Sequence, residues 1–215
     1  MKTVFAFLLA MMAIASAPAQ NRVVKQNRQV APFTAIDASG GWDVVIRQGS
    51  RQSVSLEGSE EILDRIEVEV KNGTLHIGNK KNSRSFSFRN LVNNRNITQR
   101  AYVTVTDLRK IDASGGVDIR FDTPLKAGDL ESSMSGGSDL ENARFDCKEF
   151  KGQFSGGCDA EIWFVAAQSV KVDASGGSDV QLRDMAAQSA RISASGGSDV
   201  ELAGRAEEFA VNASG

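Results

Sequence analysis

A chain of 215 residues with a formal net charge of -2 and an isoelectric point near 5.6 is sized for one domain with a substantial core. It gives no electrostatic reason to expect nucleic acid or an acidic membrane surface as a partner. Twenty Gly against three Pro, among many Ser, Ala, Val and Asp, suit strands punctuated by tight turns and argue against a helical bundle.

The first segment reads as an export signal, expected over 1–19. Lys2 supplies a positive end, 4–15 an apolar run, and Ala15-Ser16-Ala17 or Ala17-Pro18-Ala19 a small-residue cleavage site. The run is too short for a stable membrane span, and no later stretch is apolar enough to provide one. No Cys follows the cleavage sites to act as a lipoprotein acceptor. The expected product is an exported protein, soluble or peripheral, with a linker over 20–32 and a single domain over 33–215.

Within that domain an irregular part is expected over 33–127. Alternating apolar residues predict strands over 33–38, 42–48, 53–57, 66–71 and 74–77, with Asn72-Gly73 as a hairpin turn and 60–65 as one helical turn. Between 79 and 100 the text turns basic and polar around Phe86 and Phe88, with Arg84 and Arg89 beside them. This segment reads as a solvated surface loop, with a patch for an anionic glycan or protein partner as the functional alternative.

One phrase recurs along the chain: Asp37-Ala-Ser-Gly-Gly-Trp-Asp43, Asp112-Ala-Ser-Gly-Gly-Val-Asp118, then Ser-Gly-Gly-x-Asp ending at Asp139, Asp159, Asp179 and Asp199. Over 128–215 the interval is about twenty residues, the length of a solenoid unit. Val172, Ala174, Gly176, Ser178, Val180 and Leu182 are every second residue and small or apolar, while Asp173, Ser175, Asp179 and Gln181 alternate with them. That is the period of a half-buried strand. Aligned repeats give columns such as Leu130, Phe150, Val170, Ala190 and Phe209, or Leu140, Ala160, Val180 and Val200. One unit cannot bury its own apolar side, so identical strands must stack in register. The predicted fold is an all-β parallel β-helix, or β-solenoid, whose less regular N-terminal region acts as a cap. A hairpin-built β-sandwich is the rival fold. The glycine column is expected to face inward at a corner. The text ends inside another copy of the motif, so either the chain is a fragment or another molecule covers that edge.

The main polar feature is the outward row Asp139, Asp159, Asp179 and Asp199, with Asp118 and Asp43 before it. Stacked carboxylates repel, and acceptance of hydrogen bonds from the Ser-Gly-Gly corner is the expected compensation. A calcium ladder is the functional alternative, but calcium-binding β-roll repeats read G-G-x-G-x-D, a different spacing. Trp42 falls in the column of Val117, Cys158, Ser178 and Ser198 and is expected in the core. Cys147 and Cys158 fall in inward columns half a rung apart, beyond disulfide reach across a core about 10 Å thick, and are expected as buried thiols. His76 lacks a nucleophile motif beside it, and no phosphate or dinucleotide fingerprint appears. No catalytic residue, metal site or cofactor is assigned.

The signal segment, the FTAIDASGGWDVVI opening at 33–46 and the ASGGSDV rungs resemble the bacterial family of putative auto-transporter adhesins, head GIN domain, a domain of unknown function. The resemblance covers Phe33 to the end. It implies a right-handed β-helix in an exported protein of Gram-negative bacteria, and it brings no catalytic residues. The expected function is adhesion or scaffolding at the cell surface or envelope, through a repetitive Ser/Asp face that meets a glycan or protein ligand. A β-helix enzyme acting on polysaccharide is the alternative, with acids such as Asp173 and Asp179 in play, and a purely structural envelope role is a third.

Overall fold

The computed structural model describes residues 23–80 and 99–215; the expected export signal and most of the basic 79–100 segment lie outside them. Short strands come first: β1 (Val23–Arg28), β2 (Ala35–Ser39), β3 (Asp43–Gln48) and β4 (Ser53–Ser59). They are followed by helix α1 (Glu60–Leu63), β5 (Ile66–Lys71), β6 (Thr74–Asn79), β7 (Gln99–Val105), β8 (Lys110–Ser114), β9 (Asp118–Phe121) and β10 (Leu125–Lys126). After β11 (Asp129–Ser135) the strands become long: β12 (Asp139–Gly156), β13 (Asp159–Gly176), β14 (Asp179–Ser195) and β15 (Asp199–Ser214).

The strands make two ladders joined through the long strands. The first runs β1-β4-β7-β3-β9 and continues through the leading halves of β12 to β15; the second runs β5-β6-β2-β8-β11 and continues through their trailing halves. From β7 and β6 onward every pairing is parallel, whereas β1 with β4, β4 with β7, and β5 with β6 are antiparallel. The fold is thus a β-solenoid of about 5 turns with a less regular N-terminal region. The repeats lie one above another, not side by side as hairpins, because each has an apolar side that only the same strand of the next rung covers.

The predicted columns are the observed registers. Leu130 pairs Phe150, which pairs Val170, then Ala190 and Phe209; Leu140, Ala160, Val180 and Val200 align likewise. The core is one continuous cluster from Phe33 and Trp42 to Ile192. At its centre Phe121 meets Phe145 edge-on at 5.3 Å between ring centroids, and Phe150 meets Phe164 at 5.3 Å, a geometry that aromatic quadrupoles favour.

The N-terminal end closes with antiparallel strands. Asn72 (φ 51°) and Gly73 (φ 75°) occupy the left-handed region in the predicted β5–β6 hairpin turn, as a two-residue primed turn requires. Ser59 caps α1 by accepting from the Ile62 amide. The stretch expected as a linker contains β1, which pairs along the whole of Val23–Arg28 with β4. Its alternation is shallow, exposed and half-buried by turns, so no apolar period announces it. The glycine column is also placed differently from expectation: Gly136, Gly156, Gly176 and Gly196 are exposed, at the corner between ladders.

Candidate functional site

The corner sets the outer surface of the first ladder. Gly176 has φ 79°, and a Cβ there would lie 2.8 Å from the Gly156 carbonyl oxygen one rung away, so this turn needs glycine both for its dihedral and for the close stacking of backbones. The inward side chain two residues later locks the bend. Ser138, Ser178 and Ser198 each donate a hydroxyl hydrogen bond, at 3.0 Å, to the carbonyl three residues back, and the Cys158 thiol does the same to Ser155 at 3.0 Å. The next residue then points outward at the head of the strand, and it is Asp in each copy.

Asp43, Asp118, Asp139, Asp159, Asp179 and Asp199 therefore form one row on adjacent strands, spaced at about 4.8 Å per rung. The Ser138, Ser178 and Ser198 hydroxyls bond carbonyls and not these carboxylates. Asp139 instead accepts the backbone amide of Asp159 from the next rung at 3.2 Å, and Arg100 donates to Asp43 at 3.2 Å. Crowding in the row has an electrostatic signature at Asp118. Its carboxyl is pushed up to about 6, first by partial exclusion of water and then by the charges of Asp139, Asp43 and Glu141.

The same outer surface carries a group that the sequence reading passed over. Arg144, Trp163 and Arg183 occupy one row on β12, β13 and β14, and Glu161 pairs with Gln181 in the row beside it. The Arg144 guanidinium lies over the Trp163 ring, 5.5 Å from its centroid, a cation–π distance. Arg183 donates to Glu161 at 3.1 Å and to Gln181 at 2.6 Å. Trp163 is only partly buried. The signal was present in Asp159-Ala-Glu-Ile-Trp-Phe164: Ala160, Ile162 and Phe164 are the inward set, so the same alternation that places Asp159 outward places Trp163 outward too.

The other candidates fall elsewhere. Arg84, Phe86, Phe88 and Arg89 lie outside the described residues. Trp42 is fully buried near the N-terminal cap. Cys147 and Cys158 are buried free thiols, and the Cys147 thiol is pushed up to about 12 by burial and by Asp146 and Asp129. Asp173 belongs to the second ladder, beside Ser193 and ion-paired with Lys171 at 3.1 Å, whereas Asp179 heads the first ladder across the corner. They are not an acid pair on one face. His76 Nδ1 lies 2.9 Å from Asp37 Oδ2 in an open cleft of about 260 Å³ that Glu67, Glu69 and Lys71 also line. Among the described residues no group of three or more His, Cys, Asp or Glu side chains is placed to hold a metal ion, and no helix is long and apolar enough to cross a membrane.

Two solved structures share this architecture. A putative adhesin from Bacteroides fragilis NCTC 9343 superposes with a TM-score of 0.57 at 16% identity, over 90% of this chain and 98% of its own. A putative lipid binding protein from Parabacteroides distasonis ATCC 8503 superposes with a TM-score of 0.57 at 15% identity, over 89% of this chain and 94% of its own. At such identities the likeness is one of fold. No curated protein matches the chain. The family described as putative auto-transporter adhesin, head GIN domain, matches residues 32–215, the stretch that builds the stack from Phe33 onward, and the chain belongs to that family.

Proposed function

We propose that this protein is an exported binding module of the adhesin kind, which meets a glycan or protein ligand at the cell surface through the outer face of its first ladder. The observation that carries this reading is the aspartate row. Six carboxylates are presented at one rung spacing by glycine corners, three of them fastened by a serine hydroxyl and one by the Cys158 thiol. Partial burial and then mutual repulsion make such a row costly, as the raised Asp118 illustrates, and a repeated array can engage a repetitive ligand at several points with multiplied strength. Family membership supports the adhesin class, and the apolar segment at the start of the chain supports export.

The test is binding of the purified protein to arrays of surface glycans and envelope proteins, compared with the double variant Asp159→Asn, Asp179→Asn. Retained ligand on wild type with a loss of about tenfold or more in the variant, whose two removed negative charges act together, is the expected outcome. A wild type that captures nothing, or one that depolymerises a polysaccharide in the same assay, overturns the reading.

A further inference from the structure

We infer that copies of this chain associate side by side through rows of opposite charge, with Asp159 and Asp179 of one copy facing Lys171 and Arg191 of the next. The inference rests on the binding face proposed above and assigns that face a protein ligand, a second copy of the chain.

The acidic side of the contact is the outward row of the first ladder. Among the described residues only Asp43 of that row has a cation at ion-pair distance, Arg100 at 3.2 Å. Asp159, Asp179 and Asp199 are exposed, and no cation compensates them. The cationic side lies on the second ladder. Lys110, Glu131, Lys151, Lys171 and Arg191 occupy one row from β8 to β14, and its last three members are exposed. Glu131 lies 3.9 Å from Lys110, and Asp173 holds Lys171 at 3.1 Å. Among the described residues Lys151 and Arg191 have no carboxylate at ion-pair distance.

The same rungs build both rows. Asp139 and Lys151 belong to β12, Asp159 and Lys171 to β13, and Asp179 and Arg191 to β14. Strand pairing sets both rows to one interval of about 4.8 Å. Two stacks with parallel axes therefore keep acid against cation from one rung to the next, which two faces of unrelated spacing would not do.

The flanking side chains locate the best fit. Two identical coils that touch side by side run their strands in opposite directions at the contact. With Asp159 against Lys171, Glu161 then meets Ser169, and the exposed Gly157 leaves room for Asp173. One rung on, Asp179 meets Arg191 and Gln181 meets Ser189. Acceptor oxygens thus face hydroxyl donors. On β12 the same alignment opposes Glu141 to Glu149, so β13 and β14 carry the contact. Exposed ion pairs are weak singly and are screened by salt, but pairs fixed on a rigid array act together. Each copy contributes two different surfaces, so the contact is heterologous and every added copy leaves one acidic and one basic row free.

Sedimentation velocity of the full chain, at about 20 mM and about 500 mM salt to vary the screening, tests the contact. It compares wild type with the double variants Asp159→Lys, Asp179→Lys and Lys171→Glu, Arg191→Glu; thermal melting checks that each folds. The expected wild-type result is an average mass that rises with concentration at low salt and returns to the monomer at high salt. Each double variant alone should associate at least about tenfold more weakly, because like charges then meet on β13 and β14. An equimolar mixture of the two variants should associate again, and so should one chain carrying all four reversals. Self-association of either variant at wild-type strength, or a mixture that stays monomeric while wild type associates, overturns the pairing. A wild type that is monomeric at low salt also overturns it, and the binding face then depends on the glycan and envelope-protein arrays. A wild type that assembles as expected but captures nothing on those arrays supports this contact and overturns only the reading of the face as a receptor for other molecules.

Discussion

Single residues in this fold carry unequal burdens even where their chemistry is the same. Ser178 and Ser132 are both fully buried, yet Ser178 closes a corner by donating to the Ser175 carbonyl, whereas the Ser132 hydroxyl has no hydrogen-bond partner among the described residues. Ser178→Ala should therefore cost about 1 kcal/mol, and Ser132→Ala should be neutral or stabilising by up to about 1 kcal/mol; paired urea melts measure both. Asp118 yields a prediction with a definite sign. Its folded-state carboxyl is raised from 3.8 to about 6, so between those values the native state holds more proton than the unfolded chain, and stability falls as pH rises through that window. Asp118→Asn should remove this fall and leave the variant more stable than wild type above pH 6. The gain should be under about 1 kcal/mol, because the side chain is largely exposed and its interactions are screened. Chemical denaturation at pH 4 and pH 7 decides it.

Elements explain which parts of the architecture were readable beforehand. The β5–β6 hairpin was legible because Asn-Gly has one favoured turn, and α1 because Ser59 precedes two acidic residues at a helix start. Columns such as Leu140 to Val200 were legible because parallel stacking in register leaves each position facing its own copy. Less visible was how a rung divides between ladders. Asn142 (φ 50°) and Asp184 (φ 51°) adopt left-handed backbone inside β12 and β14, near shifts in register, and they bend strands whose apolar alternation alone reads as straight. The burial of Gly176 was misread for a local reason: the two-residue period survives the corner, with Val172, Ala174, Ser178, Val180 and Leu182 all buried, but at the turn itself the left-handed Gly176 lies at the surface. Trp163 was missed although its own strand places it plainly. At this scale the corner can be tested directly. Gly176→Ala combines a left-handed dihedral with a Cβ 2.8 Å from the Gly156 carbonyl oxygen and should lower stability by about 1–3 kcal/mol, whereas Gly73→Ala, with φ 75° but open space around the added methyl, should cost less.

For the molecule as a whole, stability is a chain of neighbour-to-neighbour terms, since each rung touches only the next. The two ends are dressed differently. On the N-terminal side β4 and β1 overlay the first ladder and β5 the second, with Leu63 and Phe33 sealed beneath. On the other side β15 pairs, among the described residues, with β14 alone, and Phe209 and Val211 are about half exposed. Amide exchange should accordingly follow a gradient: fastest in β15, slower through β14 and β13, and slowest around the phenylalanines of β12. Uniform protection from β12 to β15 would contradict it. Thermal motion in this chain then has a direction. Among the described rungs heat should loosen β15 before β12, so Asp199 loses its place in the row before Asp139 does, and the row shortens with temperature before the molecule unfolds.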